Sequence, residues 1–264
     1  MPVHPRTRPT VAVAAVLCAA LAFGATACGS TTDDAKPTKP TQATKPTKPA
    51  GPFGDLTGSQ IVDKAFTATK SAKSLTVDVD IKTAVDPTKA YLSLDGKGHC
   101  AGTVTMGVDR TVELIKADDK NVYLRFDEAF LREQVKEESQ EVQDATVKEL
   151  RGRWMKTPAS DPDSKDMLAL CDLDELLGGF EQGASGIVKG KETTIDGQPA
   201  LALTEPGTGG ETSSTVYVAT KGTPYVLRIV TKGGEEPGTL TFSQYGKPVA
   251  AKVPAAKDIV DIED

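Results

Sequence analysis

Histidine is almost missing from this 264-residue chain: only His4 and His99 occur. With one imidazole beyond the first ten residues, a Ser-His-Asp triad would have to recruit His99, and a zinc site would lack ligands. No Gly-x-Ser-x-Gly elbow is present. Gly178-Gly179 and Gly207-Thr208-Gly209-Gly210 are glycine-rich but do not have the strand-to-helix motif of a nucleotide site. An excess of positive charge is missing too. Lys and Arg number 31 against 37 Asp and Glu, a formal charge of −6, which argues against binding a phosphate backbone. After residue 28 there is no long hydrophobic run. These absences leave no constellation for catalysis, a metal or another cofactor, and the chain reads as non-enzymatic.

What is present begins at the N-terminus. Arg6 and Arg8 precede an apolar run over 11–23, and Gly24-Ala25-Thr26-Ala27 leads into Cys28. A charged start, an apolar core and a small-residue exit form a secretory signal. The run is shorter than the roughly 20 apolar residues of a comfortable bilayer crossing. Ala25-Thr26-Ala27-Cys28 resembles a bacterial lipobox, with Ala25 where a larger aliphatic is usual. The resemblance implies cleavage after Ala27, a thioether-linked diacylglycerol on Cys28 and a further acyl group on its amine. Residues 1–27 are therefore expected to be a lipoprotein signal peptide. Arg6 and Arg8 are separated by Thr7, so no twin-arginine signal is present.

Removing residues 1–27 takes two of the 31 cations and no acid, leaving 29 against 37 and a charge of −8. Acyl chains, not charge, must then hold the membrane, and two chains suffice for stable anchoring. The expected location is the outer face of the cytoplasmic membrane. Residues 28–51 repeat Lys36-Pro37-Thr38-Lys39-Pro40 as Lys45-Pro46-Thr47-Lys48-Pro49. This composition favours an extended, disordered tether with no core of its own.

Residues 52–264 read as one α+β domain. Leu56-Thr57-Gly58-Ser59-Gln60 opens an amphipathic helix with Ile61, Val62, Ala65, Phe66 and Thr69 on one face, ending near 71–74. Leu75-Thr76-Val77-Asp78-Val79-Asp80-Ile81-Lys82 alternates strictly, as a half-buried strand does. Further strands are expected at 89–94, 99–106, 111–116 and 122–126, then at 187–194, 200–204, 214–220, 225–231 and 239–245. Asp196-Gly197, Gly209-Gly210, Lys221-Gly222 and Gly233-Gly234 mark turns in the second series. Between the two antiparallel meanders, 127–180 reads as helical, with sparse apolar positions (Phe130, Leu131, Val135, Val142, Val147, Leu150) and an acidic, solvated face over 133–141. Helix, strands, helices, strands is the order for helices on one face of a large sheet.

That order, with Ser59-Gln60-Ile61-Val62-Asp63-Lys64-Ala65, the hairpin Val112-Glu113-Leu114-Ile115 to Val122-Tyr123-Leu124-Arg125, and Leu240-Thr241-Phe242-Ser243-Gln244-Tyr245-Gly246-Lys247-Pro248-Val249 near the end, resembles the actinobacterial LppX/LprA/LprF/LprG-type lipoproteins, related in fold to the LolA/LolB carriers. The resemblance implies a curved antiparallel half-barrel of about nine or ten strands, helices on its concave face, and often an acyl-chain cavity between them.

Cys100 and Cys171 are the cysteines that remain besides Cys28. An even pair in an oxidising compartment reads as a disulfide, tying a strand of the first meander to the helical insert. In the chain-entropy model such a bridge stabilises by roughly 4 kcal/mol. Asp161-Pro162-Asp163-Ser164-Lys165-Asp166 lacks the glycine and glutamate of a calcium loop and reads as a solvated loop. Trp154 is assigned to core packing ahead of ligand stacking. The candidate cavity residues are the inward sets Val77, Val79 and Ile81, Val122, Leu124 and Phe126, Val216 and Val218, and Leu227 and Ile229, closed by a helix containing Cys171. The expected function is binding or carrying a lipid, glycolipid or other apolar ligand, as a monomer, with no nucleic acid partner. The alternative is a sensor or scaffold that recognises a protein or cell-wall partner by its outer surface, with a fully packed inner face.

Overall fold

Thr57 decides where the first helix begins. Its hydroxyl accepts from the Gln60 N–H at 3.2 Å while its own N–H donates to Gln60 Oε1 at 2.9 Å, a reciprocal cap on α1 (Gly58–Lys70). The helix buries Ile61, Val62, Ala65, Phe66 and Thr69, the face its periodicity predicts. Gly58 has no side chain because a Cβ there would lie 2.3 Å from the Ile187 carbonyl oxygen. The structure is a computed structural model that describes residues 52–181, 186–205, 207 and 212–261. The leader, Cys28 and the tether lie outside the described residues. The described residues form one compact unit.

The first meander consists of β1 (Ser74–Ile81), β2 (Thr88–Asp95), β3 (Cys100–Met106), β4 (Arg110–Lys116) and β5 (Asn121–Phe126). The helical insert follows as α2 (Glu128–Gln134) and α3 (Gln140–Leu150), then β6 (Trp154–Pro158), α4 (Pro162–Ala169) and α5 (Leu173–Glu181). The second meander is β7 (Val188–Ile195), β8 (Gln198–Glu205), β9 (Thr212–Ala219), β10 (Val226–Gly233) and β11 (Gly238–Ser243), and β12 (Ile259–Asp261) closes the order. The twelve strands among the described residues join one open, curved sheet ordered β12-β6-β5-β4-β3-β2-β1-β11-β10-β9-β8-β7. The two meanders meet where β1 pairs antiparallel with β11. The exception to antiparallel pairing is β12 on β6, at the edge.

The ten expected strands are all present, and two more exist. β6 was hidden because five residues ending in proline show no alternation, and β12 because three residues carry no period. The acidic stretch is exposed as expected, but it breaks into two helices where Ser139 caps α3. The stretch expected as a loop over 161–166 is instead the start of α4, with Pro162 at its first position, where a missing N–H costs nothing. β1 is not half-buried throughout. Ser74 and Thr76 are buried on its other face, and each is satisfied there: Ser74 Oγ donates to Lys247 O at 2.6 Å, and the Thr76 and Ser93 hydroxyls are 2.9 Å apart. Asp196 and Gly197, both at positive φ, form the two-residue turn between β7 and β8 that their sequence predicts.

Candidate ligand cavity

β5 and β6 pair in a register that places Leu124 opposite Met155 and Val122 opposite Thr157. Because side chains alternate across a strand, Leu124, Phe126, Met155 and Thr157 share one face and Tyr123, Arg125 and Trp154 the other. Above the first set lies α2. Asp127 fixes where that helix starts: Oδ1 accepts from the Phe130 N–H and Oδ2 from the Thr111 N–H, both at 2.8 Å, so one carboxylate caps α2 and fastens it to β4. Phe130 then meets Phe126, ring centroids 4.4 Å apart. α3 packs on α2: Arg132, paired within α2 to Glu128 (2.9 Å), also reaches Asp144 of α3 (3.1 Å), and Arg151 at the end of α3 pairs with Glu128 (3.0 Å).

Between these elements is a cavity of about 860 Å³. Its walls are Leu124 and Phe126 from β5, Met155 to Pro158 from β6, Phe130, Leu131, Gln134 and Val135 at α2, Thr146 and Leu150 from α3, and Asp161, Ser164 and Met167 at α4. The volume falls in the range of small-molecule sites, about 300–1,000 Å³. Nine of these fifteen residues are apolar, and six are polar: Gln134, Thr146, Lys156, Thr157, Asp161 and Ser164. The cavity exists because α2 and α3 bring too few large side chains to fill the space over β5 and β6. Val142 is exposed, and Val147 is buried without reaching the wall.

No family model matches the sequence, and no curated protein matches it. Solved structures do resemble it. LprF from Mycobacterium bovis superposes with a TM-score of 0.51 at 16% identity, covering 75% of this chain and 97% of LprF. The chain has the LprF-type lipoprotein fold. LppX from Mycobacterium tuberculosis gives 0.46 at 16% identity over 74% of this chain and 98% of its own. The Pseudomonas aeruginosa MucA/MucB complex gives 0.36 at 12%, over 76% and 62%.

Within this LprF-type fold the expected cavity residues separate. Leu124 and Phe126 line the cavity. Val77, Val79, Val122, Val218 and Ile229 are buried in the main core, to which α1 contributes its apolar face, and Ile81 packs at its margin. Val216 borders a small recess of about 50 Å³ with Val62, Phe180, Ile187 and Leu203. Leu227 belongs to a second cluster with Ile195, Ala200 and Ala219. The reason is a bulge between Val226 and Arg228, which inverts the alternation and frees the Val226 N–H to donate to Thr69 Oγ1 on α1 at 3.0 Å. Alternation alone places Leu227 with Ile229. The bulge corrects that. The middle of the inner face is therefore filled, and the open volume lies at the β5–β6 end.

Phe130, Leu131, Val135, Leu150, Met155 and Met167 also line the cavity, and strand alternation does not point to them. Their scarcity as apolar positions in a long helical stretch was the available signal, and Met155 lay in the unrecognised β6. The Cys100–Cys171 disulfide is present, Cα atoms 5.8 Å apart. Cys171 does not lie within a helix. It lies at the joint between α4 and α5, so the bridge fastens that joint to the fully buried start of β3. Trp154 is buried, with the Arg125 guanidinium 4.5 Å from its ring centroid, away from the cavity face. His99 serves a turn: its Nδ1 is 3.0 Å from Asp95 Oδ2. Burial pushes the Asp95 carboxyl up, but hydrogen bonds from the Lys97 N–H and from His99 outweigh it and hold it below the ordinary value. Among the described residues no group of three or more His, Cys, Asp or Glu could hold a metal.

Proposed function

We propose that this protein is a membrane-anchored, extracytoplasmic lipoprotein that binds or carries a lipid or other apolar ligand without catalysis. The observation that supports this most directly is the apolar cavity of about 860 Å³ beneath α2 and α3. Removing apolar surface from water is worth roughly 25 cal/mol per Å², so burial of acyl chain on these walls would drive binding. Cys28, acylated after cleavage of residues 1–27, would hold the domain at the outer face of the cytoplasmic membrane. Residues 28–51 would set its reach. The ligand's polar portion would meet Gln134, Thr146, Thr157 or Ser164, the neutral polar side chains on the cavity wall.

The test is direct. The protein purified from membranes is extracted with organic solvent and the extract analysed by mass spectrometry, and stripped protein is offered a fluorescent fatty acid or phospholipid. A co-purifying lipid, or saturable uptake, is the expected result. An empty protein that takes up neither probe overturns the reading and leaves recognition by the outer surface.

A further inference from the structure

Two hairpin turns at one end of the sheet hold valines almost wholly in solvent. Val85, between β1 and β2, is 92% exposed, and Val108, between β3 and β4, is 95% exposed. Such positions ordinarily take Gly, Asn, Asp or Ser, whose side chains serve the turn. A branched apolar side chain contributes nothing to the turn and is poorly hydrated.

The two turns are fastened to each other. β2 and β3 pair up to Thr88 and Met106, the Gly107 N–H donates to Pro87 O at 2.9 Å, and Asp86 of one turn is ion-paired with Arg110 at the foot of the other. Gly107 makes room for that pair. A Cβ there would lie 3.0 Å from Arg110 Nη2 and 3.1 Å from Asp86 Oδ1. The valines are therefore carried on one double tip, its two turns tied together at their feet.

The same end of the sheet carries one end of the cavity. Phe126 is opposite Val112, two residues along from Arg110. Glu133 has its carboxyl held below the ordinary value first by a hydrogen bond from Lys136, and further by the charge on Arg110. Gln134 and Val135, which follow Glu133, line the cavity.

We infer that the Val85–Val108 double tip is the surface through which the domain touches a phospholipid bilayer, turning the Phe126–Val135 end of the cavity toward it. This rests on the membrane-anchored lipid-binding reading above. A protruding pair without a groove suits a fluid surface that yields around it, whereas a protein partner would need a matching pocket. Two valines are too few to recruit a free domain. For a domain already tethered the contact is intramolecular, and a weak one is enough to set orientation. If residues 28–51 form the extended tether expected from their sequence, at about 3.1 Å per residue they would reach on the order of 70 Å, long enough for any face to meet the membrane. The acidic balance of the chain, a formal −6 in full, gives no general attraction to an anionic surface.

The test uses the full chain reconstituted into phosphatidylcholine vesicles, with p-benzoylphenylalanine placed in turn at positions 85, 108 and 188. Val188, on the edge strand β7, is also exposed, at 58%, and serves as the control. Irradiation is expected to give lipid adducts at 85 and 108 at several times the yield at 188. No adducts at 85 and 108, or equal yields at all three sites, overturns the inference. In a second arm, Val85→Asp/Val108→Asp is expected to slow pick-up of a fluorescent phospholipid from vesicles about fivefold or more while leaving uptake of a monomeric fatty acid unchanged. If the unaltered protein takes up neither probe, the cavity reading fails, and the adduct pattern still decides the tips.

Discussion

Asp95 accepts from the Lys97 N–H at 2.9 Å and the His99 N–H at 3.1 Å, in addition to its contact with the His99 ring. Its pKa is depressed in the folded chain. A depressed carboxylate contributes stability that is present above its unfolded value, about 3.9, and is lost as pH falls through the folded value. Asp95→Asn is expected to cost about 1 kcal/mol at pH 7, and the difference from the unaltered protein to shrink below pH 4. Urea unfolding at pH 7, 5 and 3 measures both, and a penalty that does not change with pH would contradict the assignment. Gly58 is a second single-residue constraint. Gly58→Ala must move α1 away from the Ile187 carbonyl and is expected to destabilise by roughly 1–3 kcal/mol, read as a lower melting temperature.

At the scale of elements, the disulfide and the bulge act differently. Cys100→Ser/Cys171→Ser releases the α4–α5 joint and is expected to lose about 2–5 kcal/mol, measured by urea unfolding against the oxidised protein. Because α4 supplies Ser164 and Met167 to the cavity wall, the same variant is expected to release a bound fluorescent lipid faster in stopped flow. Most of the ten strands and α1 are legible because they repeat apolar residues at their own period, β7 is legible from the turn after it, since Lys189 to Thr194 carry no apolar period, and the disulfide is legible from an even pair of cysteines. β6 and β12 were illegible because five and three residues hold no period, and their pairing depends on partners distant in sequence. The extent of the cavity is only partly legible, through Leu124 and Phe126, for a related reason. Alternation tells which strand positions face inward but not what lies over them, and Ile61, Val62 and Phe66 of α1 occupy the centre that Val77 and Val79 face. The face that Leu227 takes is not legible, because a bulge is a local exception that no period reports.

At the scale of the whole molecule, the packed and hollow parts of one face are separable. Filling the hollow part with Leu150→Trp is expected to reduce lipid uptake by about fivefold or more while leaving the melting temperature within a few degrees, since the cavity is not what holds the fold together. Titration with a fluorescent fatty acid and a thermal melt decide this together. The pairing of β1 with β11 has a consequence in time. Val77 and Phe242 are partners, so the central strand of the finished sheet waits for nearly the whole chain before its second neighbour arrives. Non-local pairing of this kind slows folding and leaves a bare strand edge in the interval. β2 to β5 and both cysteines precede that moment, so oxidation can secure the first half while the second is still emerging. Refolding of the reduced chain would lose that order of events, and its failures would take the form of strand exchange between copies at the unpaired edge of β1.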